Sequence, residues 1–329
     1  MSSSTTNYPN GVSSYGLPLT GSIPNVMGSA GQGNIWFVSA DVGSDGNDGL
    51  SPDSAFATIE KAYSVAVSGD TIALSTNATH TLTAGLAITK SRLNFIGLDF
   101  FGRYVQQGAK VQSPSTDATA YVVKDTGTRN SFSNIKFIQA STNAAALTVF
   151  QGGGEGTLFA NCSFVFGVVD NLDQTTANEF VAGTDSATFL NCTFGADTLL
   201  TSAARTVFLI DQVNGFEFKS NMASNCKFII SSSEANAQFV SMSAAGDILF
   251  TNLFEDCTFM ASVDSAGGIA LAKAVSTANG TVKGTLNFAY PRAFNVTNFG
   301  TNGTNNDNLQ IVAPLVVNTD VVGVAPIAT

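Results

Sequence analysis

One recurring phrase restricts what this chain can fold into more than any total does. "FANCSF" spans residues 159–164, "FLNCTF" begins at 189, "ASNCKF" at 223 and "FEDCTF" at 254, with an earlier relative, "FSNIKF", at 132. All four cysteines of the 329-residue chain stand at the same place in it. The fourth position of the phrase falls at Ile135, Cys162, Cys192, Cys226 and Cys257, giving steps of 27, 30, 34 and 31 residues. A period of roughly 20–50 residues is that of a solenoid or array. Between the phrases lie short apolar runs such as "TVFLIDQV", separated by Gly, Asn, Asp and Ser, with no convincing helical spacing. The pattern predicts an all-β chain wound as a parallel β-helix, not helical repeats.

The chemistry of the phrase supports this. Asn, or Asp256 in the last copy, accepts the left-handed backbone of a tight corner. The next residue and the one two further on face the same way along a strand. A core stack is therefore expected from Ile135 and Phe137, Cys162 and Phe164, Cys192 and Phe194, Cys226 and Phe228, and Cys257 and Phe259. The intervening Ser163, Thr193, Lys227 and Thr258 are polar and should point outward. Cys here reads as a small buried hydrophobe. Zinc-ligand spacing is absent, so no metal is expected, and free thiols are predicted for a chain made in a reducing compartment.

Charged residues make up only 12% of the chain, about half the usual share, and the net charge is −10. That balance argues against general nucleic-acid affinity and against an anionic membrane surface. No apolar run reaches membrane-spanning length, and the N-terminus has neither the basic start nor the apolar core of a secretory signal.

Four stretches differ in character. Residues 1–33 form an expected extended arm: no Asp, Glu, Lys or Arg occurs before residue 41, and Tyr8, Pro9, Val12, Tyr15, Leu17, Pro18 and Ile23 are its candidate attachment residues. Such a segment buries too little apolar surface to fold alone. Residues 34–70 read as a strand ("IWFV"), a run of turn residues ("GSDGNDG") and one short helix ("SPDSAFATIEKAYSVA") capped by Asp53 or Ser54, which would plug the open end of the coils. Residues 71–290 are the coils. Residues 291–329, with the apolar "LQIVAPLVVNTDVVGVAPIAT", read as a cap or a subunit contact.

The segment "GSDGNDGLSPDSAFATIEKAYSVAVSGDTIAL" resembles the opening of right-handed parallel β-helix proteins of the pectin-lyase-like superfamily. The matching residues are Gly43, Ser44, Asp45, Gly46 and Gly49, then Phe56, Thr58 and Ile59, then Gly69, Asp70, Thr71 and Ile72. The leader "NYPNGVSSYGLPLTGSIPNV" is similar to N-terminal segments of structural proteins of tailed bacteriophages. Together these resemblances imply a virion protein, a homotrimer made in the host cytoplasm. It would sit on the capsid surface and bind the major capsid protein through its arm, as a decoration, cement or head-fibre protein. The alternative they imply is a trimeric tailspike or receptor-binding protein that recognises a host surface polysaccharide, with or without cleaving it. A cellular adhesin is disfavoured by the missing export signal.

Catalytic motifs are sparse. The polygalacturonase-like segments are missing apart from an "NTD" at Asn318–Asp320, and the one histidine, His80, reads as structural or exposed. Asp170, Asp173, Glu179, Asp185, Asp197, Asp211 and Glu217 could supply a glycosidase pair, but spacing singles out none of them. "DVGSDGNDG" has the composition of a calcium loop without its terminal Glu. The reading from sequence is a non-enzymatic protein with no cofactor.

Overall fold

The computed structural model describes residues 33–76, 78–98, 108–262, 271–276, 281–301 and 309–312. The arm residues Tyr8, Pro9, Val12, Tyr15, Leu17, Pro18 and Ile23, and the tail after residue 312, lie outside them.

The chain is a right-handed parallel β-helix. Three long sheets, here I, II and III, hold ten, eight and eight strands, and successive coils pair in parallel. One coil runs through Thr148–Gly152 of sheet III, Leu158–Ala160 of sheet I and Ser163–Phe166 of sheet II. The next repeats this with Asn178–Ala182, Thr188–Leu190 and Thr193–Phe194. Strands Arg292–Phe294, Val296–Thr301 and Leu309–Val312 extend the same three sheets beyond residue 290.

Exact register puts like residues over like. In sheet I, Phe95, Phe132, Phe159 and Phe189 align. In sheet II the column is Phe137, Phe164, Phe194, Phe228 and Phe259. In sheet III it is Phe150, Phe180 and Phe208. Within a column the rings stack near-parallel, with centroids 5.0 Å apart for Phe159 and Phe189 and 4.9 Å for Phe194 and Phe228. Between columns they meet edge to face, as Phe164 and Phe180 do at 5.1 Å and 84°. Both arrangements suit the ring quadrupole.

The corner between sheets I and II explains the repeated phrase. Asn134, Asn161, Asn191, Asn225 and Asp256 have φ of 57°, 53°, 53°, 52° and 51°. Their side chains form a ladder: Asn161 Nδ2 donates to Asn134 Oδ1 at 3.2 Å, and Asn225 Nδ2 to Asn191 Oδ1 at 2.8 Å. Each Cys stands between this corner and the following strand, one position earlier than the strand itself. All four are free and fully buried. Their thiols donate to carbonyls of the preceding coil, Cys162 to Phe132 at 3.3 Å and Cys192 to Phe159 at 3.5 Å. Burial holds the Cys192 thiol well above its ordinary range. A second left-handed corner precedes sheet I at Arg92, Arg129, Gly156, Ser186, Ser220 and Phe250.

The plugging helix is shorter than its sequence pattern suggests. It is α1, Ile59–Val65, and its N-cap is Thr58, not Asp53 or Ser54. Residues 52–54 form a separate 3-10 turn. Phe56 is extended because it bridges to the first strand: its N–H donates to Phe37 and its carbonyl accepts from Ser39, both at 2.8 Å. Ile59 and Ala62 close over the core. Lys90 Nζ donates to the carbonyls of Tyr63 and Ala66 at 2.6 and 2.8 Å, placing a cation on the unpaired C-terminal carbonyls. Asp70 ties the first strand down, accepting from Asn34 N–H and Trp36 Nε1, each at 2.8 Å. A second, single-turn helix, α2, spans Val169–Leu172.

Some interior positions are polar. Asp125 accepts from Asn130 Nδ2 at 2.7 Å, from Gly127 N–H at 3.1 Å and from Thr157 Oγ1 at 3.3 Å. Asn130 also bonds Lys90 O and Leu93 N–H of the preceding turn, while Thr157 ties Asp125 to the following one. Burial outweighs these donors and pushes the Asp125 carboxyl up to about 7.

Two outcomes follow. Phe180→Ala, at the centre of the ring stack, should cost about 3–5 kcal/mol in urea unfolding, and Phe180→Leu clearly less. Asp125 titrates near 3.8 when unfolded and near 7 when folded, so its contribution to stability is present below pH 4 and lost as pH rises to 7. Asp125→Asn should therefore raise stability by roughly 2–4 kcal/mol at pH 8 and by little at pH 4, as read from unfolding midpoints at the two pH values.

Candidate functional site

The outer face of sheet II carries the most ordered chemistry of the described surface. Its strands alternate, so while Phe137, Phe164, Phe194, Phe228 and Phe259 point in, the residues beside them point out. The outward column runs Lys110, Lys136, Ser163, Thr193, Lys227, Thr258 and Arg292, each in register with the next. Beside it runs a second, apolar column with Ile138 over Val165, then Ile229, Met260 and Phe294. Phe294 is half exposed.

Mid-way along, the segment after Phe194 folds back over this face and makes a cleft of about 300 Å³. Lys136, Ser163 and Thr193 line one side, Ile138, Val165 and Ile229 another, and Asp197, Thr198 and Leu199 the overhang. Gly195 opens the overhang with φ of 83°, where a Cβ would lie 2.0 Å from the Ile229 carbonyl, so only glycine fits. Burial and the neighbouring Lys110 lower the Lys136 ammonium from its ordinary value.

The overhang is held from below. Arg205 Nη1 donates to Glu179 Oε2 at 2.6 Å, with both side chains 1% exposed. Burial raises Glu179 while Arg205 opposes the shift. Asp173 accepts from the Ser202 N–H at 2.5 Å and from its hydroxyl. Thr201 bonds the backbone of Ser231 and Ser233 in the next coil.

The other carboxylates do local work as well. Asp185 pairs with Lys219 and Asp247 with Lys283. Asp211 accepts from Ser243 Oγ beside a second groove of about 260 Å³ on the outer face of sheet III, under residues 211–214. Asp170 lies in α2, and Glu217 is half-buried in the turn before Phe218. His80 is buried, with Nε2 2.8 Å from Ser75 O, and desolvation lowers its pKa. In the Gly-Asp-rich turn, Asp45 accepts from the N–H groups of Ala57 and Thr58, and Asp48 from Ser54 Oγ. Among the described residues no group of three or more His, Cys, Asp or Glu could hold a metal ion, and no helix is long and apolar enough to cross a membrane.

Ser163, Thr193, Lys227 and Thr258 share the outward side of sheet II as their phrase predicts, but the overhang covers Ser163, leaving it 3% exposed, and the sequence pattern does not single out three cations of the column. The signal for Lys136 was available in "FSNIKF", where it occupies the same place as Ser163 does in its phrase. Lys110 and Arg292 carry no such phrase and needed the register. Removing one partner of the buried pair strands the other charge, so Glu179→Ala should lose about 3–5 kcal/mol. The double change Glu179→Leu with Arg205→Met should recover most of it in the same urea titration.

No family model matches the chain, and no curated protein matches it. Among solved structures it is similar to the pectate lyase Pel9A, at 14% identity and a TM-score of 0.53, over 81% of this chain and 66% of that one. Pectin methylesterase from Aspergillus niger follows at 13% identity and 0.42, over 87% and 94%. PemA from Erwinia chrysanthemi, also a pectin methylesterase, follows at 11% and 0.39, over 69% and 80%. The chain spans 66% of the length of Pel9A, and what it shares with that enzyme is the fold: a right-handed parallel β-helix of the pectate-lyase type.

Proposed function

We propose that this chain is a structural protein of a tailed-phage virion, a head decoration or head-fibre subunit that attaches through its N-terminal arm and holds out a stiff β-helical body. The observation that carries the reading is the parallel register kept through ten, eight and eight strands of the three long sheets, joined to a leader that contains no charged residue before position 41. A body in which successive coils are hydrogen-bonded throughout and ring-stacked from Phe95 onward resists bending and local opening. That is a mechanical property. An uncharged arm with Tyr8, Pro9, Tyr15, Leu17 and Pro18 suits contact with a fixed apolar surface. Three such arms on a homotrimer would bind by effective concentration and need no single tight contact. The major capsid protein is the proposed partner.

The second reading is glycan recognition by a tailspike or receptor-binding protein, with cleavage as a further option. The fold of Pel9A is one that acts on a polysaccharide in that protein, and the outer face of sheet II gives the idea a location here.

Immunogold labelling of the virions that carry the protein tests the first reading. Label spread over the heads is the expected result, and a chain lacking residues 1–33 should fail to add back to stripped particles. Label at the tail tip, or undiminished attachment of the truncated chain, would overturn the decoration role.

A further inference from the structure

We propose that the cleft beneath residues 195–199 binds one small amphipathic acid: a monocarboxylate whose head meets Lys136 and Ser163 and whose short apolar body lies on Ile138, Val165 and Ile229. The site takes a discrete molecule, not a polymer. It is independent of both readings above.

The head group follows from two neighbouring side chains. Ser163 is 3% exposed and lines the cleft, yet among the described residues its hydroxyl has no hydrogen-bond partner. A hydroxyl covered in this way costs free energy that a ligand oxygen would recover. Lys136 stands beside it on the adjacent strand, in register and on the same face. Among the described residues Lys136 has no carboxylate within ion-pair distance, whereas Arg205, Lys219 and Lys283 all have one. Burial and the nearby Lys110 lower its ammonium from the ordinary value, and a bound anion would oppose both effects. A carboxylate offers one oxygen to the ammonium and the other to the hydroxyl. Lys110 and Lys227 continue the positive column on either side of the cleft. Asp197, the one carboxylate of the lining, is exposed to solvent and screened there.

The body follows from the rest of the lining. Ile138, Val165 and Ile229 form an aliphatic floor, and Phe166 and Leu199 add to the wall. A sugar acid would set its hydroxyls against side chains that offer them no partner, whereas an alkyl chain or a ring buries apolar surface there. The volume of about 300 Å³ stands at the small end for ligand pockets and suits one short molecule. The roof is built in advance. Gly195 admits no side chain, the buried Arg205–Glu179 pair lies under the overhang, and Ser202 is tied to Asp173. A roof already fixed need not be ordered when the ligand enters, which lowers the cost of binding.

Calorimetry of the full chain against octanoate is the test, with octanol as the uncharged analogue and glucuronate as the polar acid. Octanoate should bind at a single site. Octanol should bind at least about tenfold more weakly, the loss of one charge-assisted contact, and glucuronate should not bind. Lys136→Gln should weaken octanoate at least about tenfold while leaving octanol unchanged, and Ser163→Ala should weaken octanoate by roughly threefold or more. Lys124→Gln, on the outer face of sheet III, should alter neither. Octanoate should also protect Lys136, and not Lys61, of the unaltered protein from an amine-acylating reagent, a readout that does not depend on how a variant folds. Equal binding of octanol and octanoate, tighter binding of glucuronate, full octanoate affinity in either cleft variant, or no binding and no protection would each overturn the proposal. None of these results bears on head labelling or on polymer recognition, so this inference and the readings above fail separately.

Discussion

Parallel, in-register pairing of successive coils is the constraint on which everything else in this molecule depends. Each residue is placed over its equivalent at the strand spacing, so every position must be compatible with a copy of itself. Phenyl rings satisfy this by offset stacking, and three columns of them fill the interior. Asparagine satisfies it at a corner because its amide carries both donor and acceptor and its backbone tolerates positive φ. Cysteine satisfies it by being small and by spending its thiol proton on a carbonyl of the coil before it. The Asn-Cys-x-Phe phrase is thus three solutions to one problem, written in the order in which the chain turns the corner.

The same rule accounts for the sparse charge. A lysine in a sheet position faces whatever occupies the next coil, and a like charge there is repelled. Most of the ionised groups accordingly lie in loops or are paired, as Lys219 is with Asp185 and Lys283 with Asp247. The buried Glu179–Arg205 pair reaches across a coil to anchor the segment that overhangs sheet II. Its function is to fix that segment in one place, and in a dry environment an ion pair does so by leaving each charge only one acceptable partner.

How much of this could be read from the sequence follows from where the periodicity lives. The β-helix was legible because the corner residue and the ring three positions after it recur together in five places, and a coincidence of that kind has few alternatives. The plugging helix was visible, but its start was not. Phe56 has helical spacing to Ile59 and Tyr63, yet its backbone is taken by Phe37 and Ser39 of the first strand. Tertiary pairing overrode local preference there, and no window of sequence contains both partners. The cleft was hidden for a related reason. Its overhang lies in the part of the repeat whose length varies, between Phe194 and Thr206, where steps of 27–34 residues leave no phase to follow.

The exceptions to a strict rule carry the most information. A fold that penalises stacked like charges has nevertheless placed Lys110 directly against Lys136 on the outer face of sheet II, with no carboxylate partner for either among the described residues. Glutamine or threonine would stack there without repulsion and with equal β-sheet compatibility. In an apolar interior such a choice would be intolerable; on an outer face its cost is modest. The coil spacing that aligns the phenylalanines inside also sets the spacing of the cations outside.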